Sequence, residues 1–209
     1  MAKPAKPRGR PRAFDPDDAL VRAMAAFWQA GFSGTSMDDL SAAMGMNRPS
    51  IYGAFGDKQA LYLQALARYR AASHATLVAT LDPERPLREV LATVYRKALA
   101  VYLAGQRGCF VIGTAATEAV TNPAVRAELA ASLRELDAIF AARIRIARDR
   151  GELPADADPA ALGQLATSAL HGLAIRARAG ETRAALAKTA AAMVDVICGP
   201  RRRATDART

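Results

Sequence analysis

The chain is expected to be all-α, with about nine helices, three short ones first and longer ones after. Three observations predict this. First, from Asp15 onward the apolar residues recur at helical spacing: Leu20, Met24, Phe27 and Trp28, then Leu87, Leu91, Val94, Tyr95, Ala98 and Tyr102. The stripe returns in Leu129, Leu133, Leu136 and Phe140, and again in Leu186, Ala190, Met193, Val194 and Ile197. Second, alanine, the residue with the highest helix propensity, is abundant. Third, no stretch alternates apolar and polar residues between hairpin turns, as a half-buried strand would.

Breakers and start signals divide the helices in order. Asp15-Pro16-Asp17-Asp18 sets a cap, a proline at the first helical position and acids in the electropositive first turn. Gly31 to Gly34 ends that helix. Ser36-Met37-Asp38-Asp39 opens the second as a capping box with Asp in place of Glu, and Gly45 closes it. Gly56 ends the third. Asp82 to Pro86, Gly105 to Gly108, Thr121-Asn122-Pro123, Gly151 to Pro159, and Gly180 supply the later breaks, with Asn122-Pro123 and Asp158-Pro159 repeating the cap-then-proline pattern. No fixed-period repeat is present.

Composition narrows the class. The 209 residues are 51% apolar and carry a net charge of +9, which suits a globular chain and argues against both disorder and a disulfide scaffold. Two isolated cysteines, Cys109 and Cys198, fit a reducing compartment. With no apolar signal core and no uncharged run of spanning length, a cytoplasmic location is expected. The charge is concentrated at the ends. Residues 1–14 hold Lys3, Lys6, Arg8, Arg10 and Arg12 with no acid, and residues 199–209 hold four arginines against Asp206, so the body between them is nearly neutral. Four segments follow: a basic flexible arm over 1–14, a first domain over 15–60, a larger one over 61–198 and a disordered basic tail over 199–209. Cationic arms on a neutral body seek polyanions.

The short helices carry the chemistry. A second helix near 36–44, a tight turn Gly45-Met46-Asn47 and a third helix near 48–55 make a helix-turn-helix. Asn47 caps the third helix, Pro49 is tolerated in its first turn, and Arg48 and Ser50 offer donors to base edges or phosphates. Gly53 keeps the helix surface low. Ile51 and Phe55 face inward. Asp57 caps the next helix, whose first residue, Lys58, stands where helix N-termini attract phosphate.

Phe32-Ser33-Gly34-Thr35-Ser36-Met37-Asp38-Asp39-Leu40, followed by Gly45 through Lys58, closely resembles the DNA-binding signature of TetR-family transcriptional regulators. The resemblance is close over 15–60, and the later helices match in number and placement. It implies a homodimer, usually a repressor, that leaves a palindromic operator when a small molecule fills a pocket in its C-terminal helices. By position it assigns DNA contacts to Thr35, Arg48, Pro49, Ser50, Tyr52 and Lys58, and Gly53 is added to them because its bare backbone can approach DNA. Pro49 and the Gly53-Ala54 pair depart from the residues frequent in the family, so the bases read do not transfer from a relative. The segment Arg8-Gly9-Arg10-Pro11-Arg12 is similar to an AT-hook core, and its guanidiniums suit the narrow minor groove beside the recognition helix.

The last two long helices, near 159–179 and 182–197, are apolar on more than one face, which implies a partner subunit. Leu165, Leu170, Leu173, Met193, Val194 and Ile197 are the expected dimer contacts. A largely apolar pocket is expected from helices near 87–104, 110–120 and 124–148, with Tyr95, Tyr102, Phe110, Phe140 and Ile144 as walls and a small apolar or electrophilic effector inside. Gly108-Cys109, at the start of the sixth helix, is similar to a subgroup of the family that includes cysteine-based sensors. Cys109 beside Arg107 reads either as a reactive thiolate or as a small packing residue. Nothing points to a cofactor or a metal: His74 and His171 lie far apart. Two rival readings are an enzyme with Cys109 as nucleophile, which has no matching base, and a non-specific architectural binder of A·T-rich DNA.

Overall fold

The computed structural model describes residues 14–200, whose regular structure is entirely helical. The chain divides into two compact units, one ending at Ala65 and the other beginning at Leu66. The division falls inside a helix, because the fourth helix runs unbroken from Lys58 to Thr80.

The first unit contains α1 (Pro16–Ala30), α2 (Met37–Met44), α3 (Arg48–Phe55) and the opening turns of α4 (Lys58–Thr80). Its ends form as the capping residues dictate. The Asp17 amide donates to Asp15 Oδ1 at 2.8 Å. In the box at α2, the Asp39 amide donates to Ser36 Oγ at 3.1 Å and the Ser36 amide donates back to the Asp39 carboxylate at 2.8 Å. Those two bonds satisfy amides that the helix itself leaves unpaired, and with the Ser36 hydroxyl they hold the Asp39 carboxyl below its ordinary range. Gly45 ends α2 in the left-handed region at φ +65°, a conformation that costs a side-chain-bearing residue about 1 kcal/mol or more. Phe27, Leu40, Ile51, Leu61 and Tyr62 are wholly excluded from solvent. Phe27 meets Tyr62 edge-on, with ring centres 5.0 Å apart. Burial of each such side chain is worth about 1.5–3 kcal/mol, which lets helices of eight residues persist when they would melt alone.

The second unit continues α4 and adds α5 (Leu87–Leu103), a short 3-10 turn (Ala104–Gln106), a π-helical turn (Val111–Ala115) leading into α6 (Ala116–Glu118), α7 (Pro123–Asp149), α8 (Pro159–Arg178) and α9 (Arg183–Cys198). Helix α8 packs along α7, and α5 packs on α8 and α9. Gly163 permits the α7–α8 approach: a Cβ there would lie 2.8 Å from the Asp137 carbonyl oxygen and 2.9 Å from the Ala141 nitrogen. Arg143, on α7, is 3% exposed. Its guanidinium donates to the carbonyls of Asp82 and Arg85 and stands 3.8 Å from Glu152, fastening the α4–α5 loop.

The sixth helix is not the plain helix that the sequence suggests. Its first turns are wound as a π-helix, and there the Thr114 hydroxyl donates to the Phe110 carbonyl at 2.8 Å. In an α-helix that carbonyl would serve the Thr114 amide, so the side chain competes with the backbone for it. Among the described residues no single helix is long and apolar enough to cross a membrane.

Candidate DNA-binding surface and inner cavity

The turn between α2 and α3 is held from both sides. Ser41 Oγ donates to the Met46 carbonyl, and the Ser50 amide donates to Asn47 Oδ1 at 2.9 Å, which sets the entry of α3. With Ile51 and Phe55 buried, Arg48, Pro49, Tyr52 and Gly53 stand exposed and Ser50 half-exposed on the opposite face. Tyr52 is 50% exposed, and no atom lies within 4 Å of where a Gly53 Cβ would sit. The ridge therefore has the low, open contour that a groove requires. Asp57 caps α4 by accepting from the Ala60 amide at 2.8 Å, and the half-buried Lys58 lays its ammonium 4.4 Å from the centre of the Phe32 ring. Asp38, which the sequence reading gave no role in the site, takes both Nε and Nη2 of Arg48 on one carboxylate oxygen, at 3.0 and 2.5 Å. Two acids beside a basic residue one helix away were the available signal. Thr35 is a correction: it is 2% exposed, and its hydroxyl donates to the Gly31 carbonyl at 2.6 Å, so the side chain secures the α1–α2 turn. Arg8, Arg10 and Arg12 lie outside the described residues.

Within the second unit, a cavity of about 280 Å³ lies among α4, α5, the π-helical turn, α7 and α8. Of the residues named as walls, Tyr102 lines it, and Cys109 lines it too. Tyr95, Phe110, Phe140 and Ile144 do not, because all four are fully buried in the packing around it. Tyr95 donates to the Ala166 carbonyl at 3.3 Å, tying α5 to α8, and Phe110 meets Tyr69 edge-on at 5.6 Å. The wall missing from the sequence reading is α4, which contributes Tyr69, Ser73, His74, Leu77 and Thr80. Polar residues interrupting an otherwise apolar helix were the signal there. Of the two readings of Cys109, its surroundings favour the packing residue over the reactive thiolate. Burial pushes the thiol up, against backbone hydrogen bonds and a Tyr69 hydroxyl 3.7 Å away that favour ionisation. His171 lines the cavity too, and burial brings it down to about 4, opposed by Asp137.

Two family models match the chain: the bacterial regulatory proteins of the tetR family over residues 19–65, and the tetracyclin repressor-like C-terminal domain over residues 83–193. The chain belongs to the TetR family of transcriptional regulators. It is 32% identical over 182 residues to the HTH-type transcriptional repressor ComR of Escherichia coli K12, spanning 84% of this chain and 85% of that one. It is 35% identical over 112 residues to the repressor BdcR of the same organism, covering 53% and 57% of the two chains. Among solved structures it is similar to a cysteine-substituted form of the TetR-family regulator CifR in complex with 26-base-pair operator DNA. That match has a TM-score of 0.80 and 34% identity, and covers 89% of this chain and 98% of that one. The reduced form of Escherichia coli NemR shares the fold at TM-score 0.76 and 20% identity, over 89% and 98% of the chains. This TetR-family chain is thus a DNA-binding regulator.

The last two helices of the regulator divide differently from the expected dimer set. Leu170, Leu173, Val194 and Ile197 point into their own subunit, between 0% and 8% exposed, because α8 and α9 need their inner faces to pack on α5 and α7. The outward apolar residues are Leu165, Ile175 and Val196, at 41%, 58% and 69% exposure, with Met193 half-buried. Leu165, Met193 and Val196 line one shallow groove between α8 and α9.

Proposed function

We propose that the chain is a homodimeric repressor whose two α3 helices enter successive major grooves of a near-palindromic operator, and which a small effector in the cavity removes from DNA. The exposed ridge Arg48–Gly53, set on a buried Ile51–Phe55 face, carries this reading: it is the surface a groove-reading helix requires. The pair forms through the outward faces of α8 and α9, whose exposed valine, leucine and isoleucine are otherwise left in water. Helix α4 begins at Lys58, beside the DNA-contacting helix in sequence, and contributes cavity-lining residues from Tyr69 to Thr80, so an occupant of the cavity touches the same helix that carries Lys58. To empty the operator, the effector must prefer the DNA-incompetent conformation by several kcal/mol.

The test is a footprint on the DNA upstream of the protein's own gene. A protected stretch with two-fold symmetry, bound at least ~10³ more tightly than random duplex, is expected. Equal affinity for every duplex would instead identify an architectural binder. Removing residues 1–12 is expected to flatten the dependence of log K on log salt by several units per dimer, since each neutralised phosphate contributes ~0.9.

A further inference from the structure

We propose that the cavity takes a small amphiphilic carboxylate, with its acid group on Lys97 and its hydrocarbon body among Leu77, Val94, Val101, Tyr102 and Leu136. The inference rests on the reading of this cavity as the effector site and names the chemistry of the occupant.

Most of the wall is apolar, so the body of the ligand must be too. Among the described residues Lys97, an exposed residue, is the only lysine, arginine, aspartate or glutamate that lines the cavity. Its ammonium donates to Thr80 Oγ1 at 3.1 Å. Thr80 is 7% exposed and gives its own proton to the Thr76 carbonyl at 2.7 Å, so its lone pair faces the lysine and fixes it across α4 and α5. Among the described residues no carboxylate lies within ion-pair distance of Lys97. The nearest acidic cluster is already engaged. Glu128 and Glu135 pair with Arg70, and Glu135 also faces His74 Nδ1 at 3.0 Å; neither glutamate lines the cavity. His171, held neutral, makes no hydrogen bond to the described residues and leaves a second polar point on the α8 wall without adding charge.

This inventory discriminates among ligands. A purely apolar occupant would fill the apolar wall and leave the ammonium of Lys97, an exposed residue, without a counter-charge. A cation would meet a like charge with no acid in the lining to offset it. A compact anion such as acetate would satisfy Lys97 and leave the apolar wall unfilled. An acid with an alkyl or aryl body satisfies both. The volume, about 280 Å³, is at the small end for ligand pockets and suits a compact body.

The test is calorimetric titration of the full-length protein with decanoate, 1-decanol, decylamine and acetate below their aggregation limits. Decanoate is expected to bind saturably, and about tenfold more tightly than decanol. In Lys97→Gln its affinity should fall to the decanol level while decanol binding is unchanged. Leu136→Trp, which fills the cavity, should abolish both and separates cavity binding from adsorption to the apolar groove of α8 and α9. The proposal is overturned if decanol or decylamine binds wild-type protein as well as decanoate does, if Lys97→Gln leaves decanoate affinity intact, if Leu136→Trp leaves it intact in a protein with wild-type helicity, or if decanoate does not saturate. Operator affinity of the ligand-free variants is measured alongside. Its absence in wild-type protein would sink the regulator reading and leave the acid-binding result standing.

Discussion

At the scale of single residues, the guanidinium of Arg48 is held on Asp38 before any DNA arrives. Holding it from both Nε and Nη2 on one oxygen aims the fork, while the carboxylate repels phosphate. Asp38→Ala is therefore expected to raise affinity for every duplex a few-fold and to lower the ratio of operator to random DNA; competition titrations with the two duplexes read both numbers. The unfolding midpoint should hardly change, since exposed ion pairs contribute little. His171 supplies a second residue-level prediction. Its folded value of about 4 lies below the ordinary ~6.5, so between those pH values the unfolded chain binds a proton that the folded chain refuses. Its contribution is intact above pH ~6.5 and is lost as pH falls, by up to about 1.4 kcal/mol per unit. Urea midpoints at pH 7 and pH 5 should converge in His171→Gln. His74, which burial also pushes down, contributes to the part of the slope that persists.

At the scale of elements, capping was the most legible signal, because it is local. Asp15, Ser36, Asn47, Asn122 and Asp158 each accept the backbone amides that the sequence assigns to them. Asn122 takes two, those of Ala124 and Val125. Asn122→Ala is expected to cost about 1 kcal/mol, read as a lower thermal midpoint with unchanged helicity at low temperature. What periodicity could not give was the direction of each face. Tyr95 and Phe140 belong to clean apolar stripes, yet the stripes say only that they are covered, not whether packing or a void covers them. Arg143, a charged residue within α7, is buried against the carbonyls of a loop some sixty residues earlier. Leu173 and Val196 sit on adjacent apolar helices, and only the placement of α5 and α7 decides that one is core and the other surface. Such assignments depend on contacts between distant segments, which no local window contains.

At the scale of the molecule, a two-fold assembly predicts that the outer strip of α8 and α9 controls DNA binding without touching DNA. Val196→Glu or Leu165→Glu is expected to yield a folded monomer by light scattering, with helicity kept because both side chains already face solvent. Operator affinity should drop by orders of magnitude, since one half-site then holds the protein alone. A dimeric Val196→Glu protein with full affinity would place the interface elsewhere.

In the proposed pair, the same bare valine governs how the regulator answers to its own supply. If only a pair of chains can sit on its target, occupancy at low abundance rises with the square of the amount made, so halving synthesis empties the site about fourfold. A few hydrocarbon groups left in water thereby sharpen a graded change in expression into a near-threshold.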